Sequence, residues 1–310
     1  MARQRKGRPI HGWLILDKPS GPSSAAVVGR VKRLFDAAKL GHAGTLDPLA
    51  SGVLPLAFGE ATKTVALVMD GRKSYRFTVR WGVGTATDDA AGTVTGESGV
   101  RPSAPEILAA LPRFTGAIAQ LPPAFSALKL EGARAYQLAR RGVVPDLAPR
   151  LVEIERLLLL ACPDPDHAEF ALDCGKGTYV RSLARDLGQA LGSFGHVASL
   201  RRTRVGRFTE SQAIPLDSLE ALGHSAAVLE RLLPIPTALD DIPAVAVTAG
   251  EAELIRTGRS ISLGLARVAA IDSLRPGTVL CTSGDDAIAL ARIDRSGEGG
   301  ELRPLRVFNL

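Results

Sequence analysis

The sequence predicts an α+β protein in two parts, a mixed helix-and-strand unit through about residue 240 and a small β-rich unit after it. Three observations predict this. The chain has 310 residues, 45% hydrophobic and 23% charged, the balance of a folded chain long enough for more than one core. Strand-type alternation and helix-type periodicity are interleaved along the first 240 positions. Beyond them the pattern turns to short β-type runs at 244–247, 268–271, 279–281, 287–291 and 305–308, broken by Gly, Pro or charged turns. Such spacing belongs to a small barrel or sandwich.

The elements follow in order. Residues 12–16 read as a short strand ended by the turn Lys18-Pro19-Ser20-Gly21-Pro22. Ser23 or Ser24 caps a helix whose apolar positions Val27, Val31, Leu34 and Phe35 recur at helical spacing. Residues 41–48 form a loop by composition, 53–58 a short buried strand, and 60–69 a helical stretch. From 74 to 81 the chain alternates strictly, with Tyr75, Phe77, Val79 and Trp81 on one face and Ser74, Arg76, Thr78 and Arg80 on the other. Ser103 and Glu106 make a capping box for a helix through Leu111. Pro122-Pro123 breaks the chain before a basic segment, 129–141, whose end at Gly142 has the form of a helix C-cap. Strands around 152–160 and 169–174 precede a helix from about Thr178, with Tyr179, Leu183, Leu187 and Leu191 every four residues.

Several function classes are excluded. The longest apolar run, 157–162, and the apolar segment 13–16 are too short for a membrane span or a secretory signal, so the chain reads as cytoplasmic. Cys162, Cys174 and Cys281 are odd in number and lack C-x-x-C spacing, and the histidines form no H-E-x-x-H pair; no metal site is expected. Gly82-Val83-Gly84 begins like a dinucleotide fingerprint but has Thr87 at the third glycine. Gly175-Lys176 lacks the earlier glycine and the following Ser or Thr of a P-loop. No cofactor is expected.

The net charge of +6 is concentrated. Arg3, Arg5, Lys6, Arg8, Lys18, Arg30, Lys32 and Arg33 face only Asp17; Arg201, Arg202, Arg204 and Arg207 form a second cluster; Lys129, Arg134, Arg140, Arg141 and Arg150 form a third. Three basic segments on one chain point to a polyanion, and nucleic acid is the usual one.

The densest chemical statement is Gly41-His42-Ala43-Gly44-Thr45-Leu46-Asp47-Pro48-Leu49-Ala50-Ser51-Gly52. An aspartate before proline favours extended or turn geometry, which projects its carboxylate from a loop. Glycines beside it permit close approach of a ligand. Taken alone, such an aspartate is more often a turn former.

The whole segment closely resembles the G-H-x-G-T/A-L-D-P-x-A-x-G signature of the TruB family of tRNA pseudouridine synthases. Further blocks resemble that family in the same order: Lys18-Pro19 through Ser24, Lys73 through Arg76, Ser126 through Tyr136, Gly175 through Leu183, and His196 through Arg202. The closing Arg303 to Phe308 is also similar. Phe125 and Gly175 depart from it, standing where tyrosine and serine are common.

The resemblance implies a catalytic domain over residues 1–240 with a mixed, largely antiparallel central sheet flanked by helices. A thumb segment would span about 124–150, and residues 241–310 would form a PUA-like RNA-binding domain. It implies conversion of uridine 55 in the T-loop of tRNA to pseudouridine by a monomer needing no cofactor, metal or protein partner. Asp47 is then the reacting carboxylate. Arg181 pairs with it, opposing the neutralisation that enclosure beside an everted base would favour, and does so in bidentate fashion. Tyr75 stacks on the uracil and is a candidate base for the C5 proton. Tyr179 borders the pocket, Leu200 presents main-chain groups to the uracil edge, and His42 stands where the base leaves its loop. Lys18 belongs to the same substrate-binding set and braces the site with Pro19. Lys129, Arg134, Arg140, Arg141, Arg201 and Arg202 would meet the RNA backbone. A non-catalytic tRNA-binding protein would share the basic clusters but would not need the Asp47, Tyr75 and Arg181 set. A two-carboxylate hydrolase would need a second acid near Asp47.

Overall fold

The computed structural model describes residues 7–126, 128–130, 133–134, 146–264, 267–268, 277–284, 286–296 and 299–310. A mixed sheet dominates the first part. Its strands run in the order Ile214–Pro215, Gly12–Lys18, Ser51–Phe58, Gly195–Val205, Lys73–Trp81, His167–Cys174, Arg150–Asp164 and Gly116–Gln120. Two short strands, Leu40–His42 and Phe208–Thr209, attach to its flanks. Pairing along this order is antiparallel except at two joints, Gly12–Lys18 with Ile214–Pro215 and Gly195–Val205 with Ser51–Phe58. The α+β class and the largely antiparallel sheet expected from the sequence are both present.

Alternation decides which side chains reach the interior. Phe77, Val79 and Trp81 are buried, as are Leu183 and Leu187 of the helix Val180–Ala190 that packs against that face. The helix Ser24–Leu34 contributes Val27 and Val31 to the same core; Ser23 caps it by accepting from the Ala26 N–H at 3.2 Å. Arg76 and Arg80 lie exposed on the opposite face of the sheet.

A second sheet orders Ala244–Ala246, Thr278–Ser283, Asp286–Ser296, Gly299–Val307 and Ile261–Gly264. Leu280, Leu290 and Phe308 from this part pack with Trp13, Val53 and Phe208 of the first. Of the expected strand at 268–271, Val268 has helical backbone, and 269–271 lie outside the described residues. The strand Ile261–Gly264 went unexpected, because its alternation of buried Ile261 and Leu263 is too brief to stand out in the sequence. Of the basic segment 129–141, Lys129–Leu130 and Ala133–Arg134 pair as antiparallel strands rather than a helix. The remainder, with Arg140, Arg141 and the expected cap at Gly142, lies outside the described residues.

Candidate active site

Asp47 lines a cavity of about 340 Å³. Its loop, between the strands Leu40–His42 and Ser51–Phe58, is fixed by three side chains. Lys18 is fully buried, and its Nζ donates to the carbonyls of Ala50 at 2.6 Å, Pro19 at 2.8 Å and Pro48 at 3.4 Å. Ser24 Oγ donates to the Leu46 carbonyl at 2.8 Å and accepts from the Leu46 N–H at 2.9 Å. Arg202 donates Nε to the Val53 carbonyl at 2.9 Å and Nη2 to the Gly44 carbonyl at 3.0 Å. Gly52, at φ +100°, runs so close to Arg202 that a Cβ would stand 2.2 Å from its carbonyl oxygen. Only glycine fits there. The Asp47 side chain remains 38% exposed, open to a ligand while its backbone is held.

Burial lowers Lys18 from its ordinary 10.5 to about 8, with the Asp47 charge opposing the shift and Arg202 adding to it. Between those two values the unfolded chain holds more protons at this position than the folded one, so its contribution to stability rises with pH through that window. The hydrogen bonds it donates to the Asp47 loop weaken over the same range. We therefore expect single-turnover activity to decline above pH about 8 without a matching loss from this group in thermal stability. Lys18→Arg, which keeps its charge, should move that decline upward; pH–rate profiles beside melting curves check this.

Arg181 lies in the first turn of the helix Val180–Ala190 with only 6% of its side chain exposed. Its Nε donates to Asp47 Oδ2 at 2.8 Å, Nη1 to the Thr87 carbonyl at 2.9 Å and Nη2 to the Phe125 carbonyl at 2.9 Å. The pair expected from the sequence is therefore formed, but through one nitrogen. The bidentate fork is not, because both terminal nitrogens hold main-chain carbonyls.

Those carbonyls are themselves anchored. Asp89 Oδ1 accepts from Thr87 Oγ1 at 2.5 Å and from the Ala91 N–H at 3.1 Å, while its Oδ2 lies 3.8 Å from Arg181 Nε. Asp88, at φ +58°, pairs with Arg185 Nη1 at 3.0 Å. Buried Gln120 grips the Tyr179 backbone from both sides, donating to its carbonyl at 3.2 Å and accepting from its N–H at 2.8 Å. Ser182 Oγ and Arg185 Nη2 donate to the Leu121 carbonyl at 2.7 and 2.8 Å.

Tyr75, Tyr179, Leu200 and Met69 share the cavity wall with Asp47 and Arg181. Burial pushes the Tyr75 phenol up to about 12, the neighbouring Arg202 guanidinium offsetting only part of the rise. A phenol that holds its proton so firmly is a poor acceptor for the C5 proton, which argues against the candidate-base role. Burial likewise raises Tyr179. Leu200 stands directly across from Phe77 in the register and is 9% exposed.

Two expected contacts need correction. Lys18 cannot bind substrate through Nζ, because it is enclosed and committed to carbonyls. Arg202 is 2% exposed and faces inward, so it cannot meet an RNA backbone. Arg201, on the opposite face, is paired with Asp17 at 2.8 Å and with Glu210. Arg204 and Arg207 also meet acids, Asp173 and Asp240. In the second basic cluster only Arg202 is internal, and the other three are partly exposed and compensated by acids remote in sequence. His42 is half-buried and is not among the described residues of the cavity wall; its Nδ1 is enclosed with no hydrogen-bond partner among the described residues, and burial lowers its basicity. The side chains of Lys129 and Arg134 lie outside the described residues.

A sequence model described as TruB family pseudouridylate synthase (N terminal domain) matches residues 32–180. One described as tRNA pseudouridylate synthase B C-terminal domain matches 181–240. A protein of Bradyrhizobium diazoefficiens named tRNA pseudouridine synthase B is 54% identical over 321 residues, covering 100% of this chain and 91% of its own. The chain belongs to the TruB family. A second TruB relative, the tRNA pseudouridine synthase B of Caulobacter vibrioides, is 52% identical with 100% of both chains covered. Among solved structures, that of an H/ACA RNP bound to a substrate RNA containing 2'-deoxyuridine has a TM-score of 0.72 at 22% identity, covering 100% of this chain and 92% of that one. A Cbf5-Nop10-Gar1 complex gives 0.72 at 24% identity, covering 96% and 84%. At such identities these two likenesses show the fold alone. Among the described residues, no helix is long and apolar enough to cross a membrane.

The TruB resemblance in the sequence led to Asp47, Arg181 and the bracing Lys18 but not to the supports around Arg181. Thr87, Asp88 and Asp89 had a visible signal, two adjacent acids in an otherwise neutral Thr/Ala/Gly loop. Gln120 had only its place, a polar residue ending a strand just before Leu121-Pro122-Pro123. A second acid, Asp70, does line the cavity but is paired with Lys176 at 2.9 Å, and Asp89, turned to Arg181 and Thr87, is not among the described residues of the wall.

Proposed function

We propose that this TruB-family chain is an isomerase that converts uridine 55 in the T-loop of tRNA to pseudouridine. The observation that carries the reading is the Asp47–Arg181 pair in the wall of a cavity large enough for one everted base and faced by Tyr75, Tyr179 and Leu200. The N1–C1′ bond of the nucleoside breaks, the base turns within the cavity, and C5 joins C1′. No atom but the C5 proton leaves, and a proton returns to N1. Asp47 reacts with the nucleoside, adding to C1′, adding to C6 or taking the C2′ proton, and the Tyr75 ring stacks on the uracil. Eversion costs a few kcal/mol; aromatic stacking returns about 1–3 kcal/mol per base, and phosphate contacts supply the rest.

Residues 1–240 form the catalytic unit in this reading and 241–310 a PUA-like RNA-binding unit. The chain acts as a monomer on the T-arm, in the cytoplasm, without a protein partner. Full-length relatives named tRNA pseudouridine synthase B support the tRNA assignment. A protein that only binds tRNA would need neither a half-exposed carboxylate in a base-sized cavity nor a buried guanidinium holding it.

The test is a T-arm stem-loop carrying uridine or cytidine at position 55, incubated with the protein and analysed by nuclease digestion and mass spectrometry. Pseudouridine should form at that position of the first RNA and nowhere in the second. Absence of pseudouridine from both, with binding retained, would replace the isomerase reading by the binding one.

A further inference from the structure

Four cations and two acids line the cavity among its described residues: Lys73, Lys176, Arg181 and Arg202 against Asp47 and Asp70. Asp47 is taken by Arg181, and Asp70 by Lys176 at 2.9 Å. Lys73 and Arg202 are left over. They are 8% and 2% exposed, and among the described residues neither forms an ion pair with a carboxylate. Both are held by main-chain carbonyls instead. Lys73 donates to Met69 and to Gly71, the latter at 2.5 Å; Arg202 donates to Val53, Gly44 and Thr45. Arg202 lies directly across from Tyr75 in the register, and Lys73 two residues before it on the same strand face. Enclosing a cation without a counterion is unfavourable, because its hydration is lost and no opposite charge replaces it. Burial depresses the basicity of both groups, as that cost requires.

We propose that Arg202 and Lys73 supply the positive field that stabilises the detached uracil as an anion. This rests on the isomerase reading above. Cleavage of N1–C1′ leaves the bonding pair on the base, where it spreads over N1, O2 and O4. On either route at the sugar Asp47 loses its charge at the same moment, by bonding to C1′ or by accepting the C2′ proton. One negative charge therefore moves from the Arg181 side of the cavity to the Tyr75 side, and the cavity as a whole neither gains nor loses charge. When C5 bonds to C1′ the pair returns to that bond, Asp47 is released as carboxylate, the C5 proton leaves to solvent and N1 takes one up. Fixed cations already in place where charge develops stabilise it without reorganisation.

The test compares uridine with 5-fluorouridine at the target position of a T-arm RNA, because the fluorinated base is more acidic and departs more readily as an anion. Single-turnover loss of the N-linked nucleoside is followed for wild type, Arg202→Lys, Arg202→Gln and Lys73→Met, with RNA affinity and melting temperature measured for each. We expect Arg202→Gln and Lys73→Met to slow the uridine substrate on the order of 10²-fold and the fluorinated one by at least about tenfold less. Arg202→Lys should keep the wild-type ratio. A ratio equal to wild type in both charge-removing variants would assign these residues to structure alone and overturn the proposal. Should Arg202→Gln not fold, Lys73→Met makes the same comparison. Failure of the wild type on both RNAs would instead remove the isomerase reading, a distinct outcome.

Discussion

Arg181→Met should lower single-turnover pseudouridine formation by roughly 10³-fold, the scale of removing one preorganised charged donor at a reacting group. The side chain is 6% exposed, and its Nε, Nη1 and Nη2 go to Asp47, Thr87 and Phe125, so no free face remains to touch a phosphate. Affinity for tRNA should accordingly stay within about threefold of wild type, since surface phosphate contacts dominate it. Methionine fills the volume but leaves the Thr87 and Phe125 carbonyls without a donor, a cost of about 1–3 kcal/mol. Denaturant titration should show that loss. Rates near wild type with the stability loss intact would separate Arg181 from the chemistry.

Asp47→Asn should be still more severe, at least about 10⁴-fold, as removal of a reacting group typically is. The amide is close to isosteric and its Oδ1 can still accept from Arg181 Nε, while the side chain is 38% exposed. Half-exposed ion pairs contribute on the order of 1 kcal/mol or less, so melting temperature and RNA affinity should barely move. A large activity loss beside an unchanged fold distinguishes chemistry from support. Arg181→Met combines the two.

Much of the scaffold was legible because its signals are local. The alternation from Tyr75 to Trp81 gives a half-buried strand, Ser23 gives a helix start, and the four-residue repeat from Tyr179 gives the helix that carries Arg181. The proposed catalytic pair is not local: Asp47 and Arg181 are 134 positions apart, and the resemblance to a family, not periodicity, joined them in the sequence. Arg201 and Arg202 show the limit of reading charge by cluster. In a strand they face opposite ways, and Leu200 fixes which one is inside, so the alternation rule applied to that triplet would have separated them. The acids that compensate Arg201, Arg204 and Arg207 come from Asp17, Glu210, Asp173 and Asp240, which no window of sequence brings together. Gln120 was illegible for another reason. It imitates a strand partner for Tyr179, using a side-chain amide where a backbone amide would ordinarily serve, and one polar residue at a strand end carries no mark of that use.

Release of tritium from C5-labelled uridine at position 55 of a T-arm RNA, under single turnover with all RNA bound, addresses the cavity carboxylate most directly. The wild type should release label stoichiometrically with formation of the carbon-linked nucleoside, and Asp47→Asn should release none above background. Release by Asp47→Asn at the wild-type rate would contradict the assignment of Asp47 as the group that opens the glycosidic bond.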